Sequence, residues 1–95
     1  MREDLPRGVQ AAQIVHAAGE SSPGNLSSGT NAVVLTVPGE REMIALAARL
    51  VLAGIAHVRI HEPDAPWSNA LMAIGCRPDR KEVLRKHLSA LPLLR

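Results

Sequence analysis

The chain has no phenylalanine, no tyrosine and one tryptophan, Trp67. An aromatic core is therefore excluded, and Leu, Ile, Val, Ala and Met must build one. The same lack argues against the single-strand nucleic-acid binders, which stack bases on rings. Cys76 is the only cysteine, so no internal disulfide can form, and a reducing compartment is expected. Long apolar runs are missing too. Residues 43–56 are strongly apolar but are interrupted by Arg49, and they fall short of the roughly 20 residues a bilayer requires. Met1 is followed by Arg2, Glu3, Asp4 and Leu5 rather than by the apolar segment of a secretory leader. The expectation is a soluble, cytoplasmic protein.

The 95 residues suit a single domain that buries roughly 60–65% of its unfolded surface. A formal charge of +2 is too small to argue for nucleic acid by itself. The charge is unevenly spread, however. Arg77, Arg80, Lys81, Arg85 and Lys86 crowd together against Asp79 and Glu82. That cluster is either a surface for phosphates or a solvated helix face.

Composition predicts a helix over 8–18, stopped by Gly19, and then a loop rich in Ser, Gly and Asn over 19–30. The run Ala32-Val33-Val34-Leu35-Thr36-Val37 predicts a buried strand over 31–37, closed by Pro38 and Gly39. A second helix is expected over 40–53, with Glu40 and Glu42 in its first turn, where the helix dipole favours negative charge. Its apolar stripe is Met43, Ile44, Ala47, Leu50 and Val51, with Arg41, Ala45 and Arg49 on the other side. Residues 57–61 alternate as a strand with His57, Arg59 and His61 on one face. After a loop over 62–68, residues 69–76 form a mostly apolar strand. Asp79 is placed to cap a last helix, with Glu82 in the capping-box position and Val83, Leu84, Leu88 and Leu91 inward. The expected order is α-β-α-β-β-α, helices packed on a small sheet.

One segment carries more chemistry than the rest: Gly8-Val9-Gln10-Ala11-Ala12-Gln13-Ile14-Val15-His16-Ala17-Ala18. Alanine allows close helix packing, so Gln13 and His16, one turn apart, would be held firmly. This run resembles the first helix of the type-2 peptidyl-tRNA hydrolases, whose pattern there is Gly-Lys-x-Ala-Ala-Gln-x-x-His-Ala. Gly8, Ala11, Ala12, Gln13, His16 and Ala17 match it, while Val9 stands at the lysine. Arg2-Glu3-Asp4-Leu5 resembles the end of the family's first strand, so that Met1 enters partway along it. Gly54, Val58–Ile60 and 68–75 follow the family's order, with Glu62 at its aspartate, Ser68 at its first threonine and Ala70 at its second. The resemblance implies an α/β fold, a small mixed sheet flanked by helices in three layers, α/β/α. It also implies hydrolysis of the ester between a peptide and the 3′ end of tRNA, a homodimer, and no cofactor.

That reaction requires a base to activate water and donors for a developing oxyanion. On the resemblance, Glu62 or Asp64 activates water, Gln13 donates to the carbonyl and Ser68 positions water or substrate. Arg7, His16, Arg80 and Lys81 are the candidates for holding substrate, with Arg7 the nearest replacement for the missing lysine. Each has a plainer reading: a backbone cap for Gln13, a partly buried histidine for His16, an exposed turn for Glu62-Pro63-Asp64, a strand entry for Ser68. Trp67 is either a lid or an interface anchor. A Ser68–His16–Asp64 triad lacks a nucleophile elbow. His57 and His61 are about 13 Å apart along a strand, too far to share a metal ion. The alternative to catalysis is an inert member of the fold that serves as a binding or assembly domain, which Val9 favours.

Overall fold

Strand β2, Ala70–Cys76, is the element around which the rest packs. Leu71, Met72 and Ala73 are buried almost completely. In the computed structural model, which describes residues 1–95, β2 pairs antiparallel with β1, His57–Glu62, from His57↔Cys76 to Glu62↔Ala70. A bulge between Ile60 and His61 shifts the register. Three helices complete a small mixed α/β molecule: α1, Arg7–Ser21; α2, Glu40–Leu52; and α3, Lys81–Leu88.

The apolar residues divide into two clusters. Met1, Leu5, Ala17, Ile60, Met72 and Ala73 form one, joined by Val9, Ile14 and Trp67. Val37, Met43, Leu46, Leu50 and Leu71 form the other, flanked by Ile74, Cys76, Leu88 and Leu91. Helix α1 contributes to the first and α2 to the second, and both pack on β2. Gly75 sets how closely α1 lies. A Cβ there would sit 2.4 Å from the Ala17 carbonyl oxygen and 2.9 Å from Ser21 Oγ, so only glycine lets the helix backbone come this near the strand.

Of the expected stripe of α2, Ile44 and Val51 are 54% and 56% exposed, and Leu46 is buried in their stead, because the second cluster meets the helix on the Met43–Leu46–Leu50 side. Four further expectations need correction. Residues 31–37 are not a strand of the sheet; only isolated bridges form, Arg2↔Val37 parallel and Leu35↔Leu93 antiparallel. The reason is the shortness of both neighbours. Glu3 N–H donates to Val37 O (2.9 Å) and Val37 N–H to Met1 O (3.1 Å), while Thr36 N–H donates to Pro92 O (2.9 Å) and Leu94 N–H to Val34 O (2.9 Å). The Leu35 carbonyl accepts from the Met1 ammonium at 2.9 Å; before Val34 the segment has no partner, and Val33 is 63% exposed. Asp79 does not cap α3. Its Oδ1 accepts from the adjacent Arg80 N–H at 2.7 Å, and Arg80 itself is the N-cap residue, with no side-chain cap. Such local bonds compete with capping. The inward residues of α3 are only half-buried, with Leu88 and Leu91 against the second cluster. Finally, α1 continues through Gly19 to Ser21, because Ala17 and Ser21 are buried along one face.

No helix is long and apolar enough to cross a membrane.

Candidate functional site

Gln10 and Gln13 are buried on α1, three residues apart and thus on one face. A buried amide must find partners or lose about 1–3 kcal/mol, and each finds one across the fold. Gln10 Nε2 donates to Arg2 O at 3.0 Å, which ties α1 to the start of the chain. Gln13 Nε2 donates to Glu62 Oε2 at 3.2 Å, which ties α1 to the end of β1. The second bond joins the two most chemically suggestive segments of the sequence.

Glu62 is half-buried and has both carboxylate oxygens engaged, since Oε1 accepts the Asp64 N–H at 3.2 Å. Its main chain is fixed as well, with Asn69 N–H donating to Glu62 O at 2.7 Å. Between these anchors the chain turns tightly. Asp64 O accepts from Trp67 N–H at 2.9 Å and from Ser68 N–H at 3.3 Å. Ser68 and Asn69 have φ of 50° and 67°, the left-handed region that costs a serine about 1–2 kcal/mol and that asparagine enters more readily. At Ser68 the turn is therefore held by its bonds rather than by local preference.

Three groups around this frame are not fully hydrogen-bonded within the protein. The Asp64 carboxylate and the Ser68 hydroxyl are on exposed residues and bond no protein group, and the Gln13 amide retains Oε1 and one N–H. Val9, in the lysine position of the resemblance, packs against the apolar cluster that also takes Trp67. Val9 is thus an apolar packing residue and supplies no cation.

The remaining candidates lie apart. His16 is exposed on α1 and makes no hydrogen bond, so no Ser68–His16–Asp64 relay exists in this arrangement. Arg7 lines a different depression, about 590 Å³, with Glu3, Gln10, Thr36 and Arg95. None of Gln13, Glu62, Asp64 and Ser68 belongs to it. Arg80 and Lys81 open α3, whose Leu88 packs with the second cluster rather than with α1. His57 Nδ1 lies 2.8 Å from Ile55 O and His61 Nδ1 lies 3.1 Å from Asn69 O. No group of three His, Cys, Asp or Glu side chains is placed to hold a metal ion. Burial pushes the Cys76 thiol up, away from thiolate chemistry.

A second polar centre escaped the sequence reading. Arg2 is 8% exposed. Its Nε and Nη2 hold Asp4 in a two-point ion pair at 3.0 and 2.9 Å, and its Nη1 donates to Leu71 O at 3.1 Å. Glu40 Oε2 accepts the Leu71 N–H at 2.7 Å. The hydrogen bond from Arg2 holds the Asp4 carboxyl below its ordinary range. The available signal was an Arg and an Asp two residues apart at the end of an expected strand, one side chain from a stretch of buried backbone.

In comparisons with known proteins, no family model and no curated protein matches the chain.

Proposed function

We propose that this chain is a divergent type-2 peptidyl-tRNA hydrolase-like domain, acting on the ester between a peptide and tRNA at the Gln13–Glu62–Asp64 cluster. The observation that carries the reading is the 3.2 Å bond from Gln13 to Glu62, which brings the alanine-rich helix and the acidic turn together from 49 residues apart. The helices packed on β2 through two separate clusters are compatible with the three-layer α/β/α arrangement of that family.

Roles follow from which groups are free. Glu62 uses both oxygens within the protein, so it positions Gln13 and the turn. Asp64 has its carboxylate free in solvent and is the base that takes a proton from water as the oxygen attacks the ester carbonyl. The spare Gln13 N–H donates to the resulting oxyanion, a contribution worth about 2.7–4 kcal/mol for a well-placed donor. Ser68 orients the water or the leaving ribose oxygen. Collapse of the tetrahedral centre expels the 3′ oxygen, which regains a proton from Asp64.

The inert reading has its own support: Val9 supplies no cation, and Arg7 lies in another depression. A peptidyl-tRNA mimic decides between them. The active reading expects ester cleavage that Asp64→Asn reduces about 100-fold or more, with Glu62→Gln losing less. Cleavage no faster than buffer defeats it and leaves a binding domain.

A further inference from the structure

The chain's one indole stands on the turn that carries Asp64 and Ser68. Trp67 N–H donates to Asp64 O at 2.9 Å, which closes a four-residue turn and keeps the two Cα atoms within about 7 Å. Trp67 is half-buried: part of it packs against the first apolar cluster, and part stays open. Its Nε1–H donates to no protein group, yet no buried side-chain polar atom in the molecule lacks a partner, so that edge of the indole meets solvent. Packing thus fixes the ring, while its open part offers π surface and a donor.

We infer that Trp67 is the platform for a single nucleobase, the terminal adenine of the tRNA whose ester is attacked; the inference rests on the proposed hydrolase reading. That base hangs from the same ribose that carries the ester on its 3′ oxygen. An ester placed at the Asp64 carboxylate therefore brings its base to the turn on which the indole stands. A strand needs a series of rings, but one ring suffices for one base, because every base has a π face to stack. The backbone phosphates are a poor fit, since residues 62–68 include no cation and Glu62 and Asp64 repel them. Peptide side chains vary from one peptidyl-tRNA to the next, whereas the terminal adenosine is common to all. A ring held in place by core packing suits the constant partner.

Trp67 is the sole tryptophan and tyrosine is absent, so the intrinsic fluorescence of the full chain reports on this ring alone. Titration with the trinucleotide CCA up to about 1 mM should quench that emission saturably. The same trinucleotide with an abasic terminal ribose should bind about tenfold or more weakly. By anisotropy of dye-labelled CCA, Trp67→Leu should lose about tenfold or more in affinity and Trp67→Phe should stay within about threefold, with circular dichroism checking that both are folded. Emission indifferent to CCA, or quenched equally by the abasic form, overturns the inference without need of a variant. Quenching by an N-acetylated amino-acid ester but not by CCA overturns it too, and assigns the ring to the peptide. The two readings fail separately. Saturable quenching without ester cleavage removes the hydrolase and leaves the base site, whereas cleavage of a peptidyl-tRNA mimic with KM unchanged in Trp67→Leu removes the base site and leaves the hydrolase.

Discussion

Two polar centres link distant parts of this molecule, and they are built differently. At one, Arg2 uses its guanidinium on Asp4 and on the Leu71 carbonyl while Glu40 takes the Leu71 N–H, so both backbone groups of a buried residue of β2 are satisfied by charged side chains. At the other, Gln13 meets Glu62, and around that bond Asp64, Ser68 and half of the Gln13 amide remain uncommitted. The first centre is closed and the second open. A closed centre has nothing left for a ligand and acts on stability. An open one has donors and acceptors with no protein partner, carried on a backbone turn that is itself hydrogen-bonded.

Removing the key residue of each centre should separate the two roles. Arg2→Met keeps much of the side-chain volume but strands the Leu71 carbonyl and frees Asp4. We expect a loss of about 2–3 kcal/mol in urea unfolding, below the figure for a wholly buried pair because the Asp4 side chain is 44% exposed. Gln13→Leu should cost only about 1 kcal/mol, since Glu62 is half-buried and can turn to water. On the proposed hydrolase reading its signature is functional: ester cleavage falls while the fold remains. If Gln13→Leu proves the more destabilising of the two, the Gln13–Glu62 bond is structural and the contrast fails.

The sequence made one centre visible and hid the other, for physical reasons. The positions of α1, α2, β1 and β2 were legible because local residue patterns set them, but which flank of α2 is buried was only partly so, since Ile44 and Val51 lie outside and Leu46 inside. Gln13 stood out because it lies on a close-packing, alanine-rich helix whose pattern matches that of the resembled family. The Glu62 side was legible because a strand ending in acid and proline marks a turn. Arg2 resembled a surface charge, since nothing local says that Leu71, 69 residues away, will present a carbonyl to it. Residues 31–37 read as a strand by composition, but strand pairing is decided by the neighbours, here three residues at each end of the chain. Glu40 was assigned to the helix dipole alone, although its carboxylate also closes the edge of β2. Gly75 carried a usable signal: a glycine inside an apolar strand marks a close backbone approach, and Ala17 is that neighbour.

The finest test of the closed centre is its response to acid. Arg2 lowers the Asp4 carboxyl below its ordinary value of 3.8 in the native state, chiefly through the side-chain hydrogen bond. A carboxyl lowered on folding stabilises the native state above the unfolded value, and that contribution disappears as pH falls through the native one. Its size is limited by solvent screening at a 44% exposed side chain, so about 0.5–1 kcal/mol is expected near neutrality. Asp4→Asn should be less stable than the parent by that amount at pH 7, and the gap should narrow only below about pH 3.8. Roughly 1 M salt, with a Debye length of about 3 Å, should shrink the same gap at neutral pH. A gap independent of both acid and salt would show that Asp4 acts by shape rather than by charge. Arg2 would then be held by Leu71 alone, and the closed centre would be less closed than its geometry indicates.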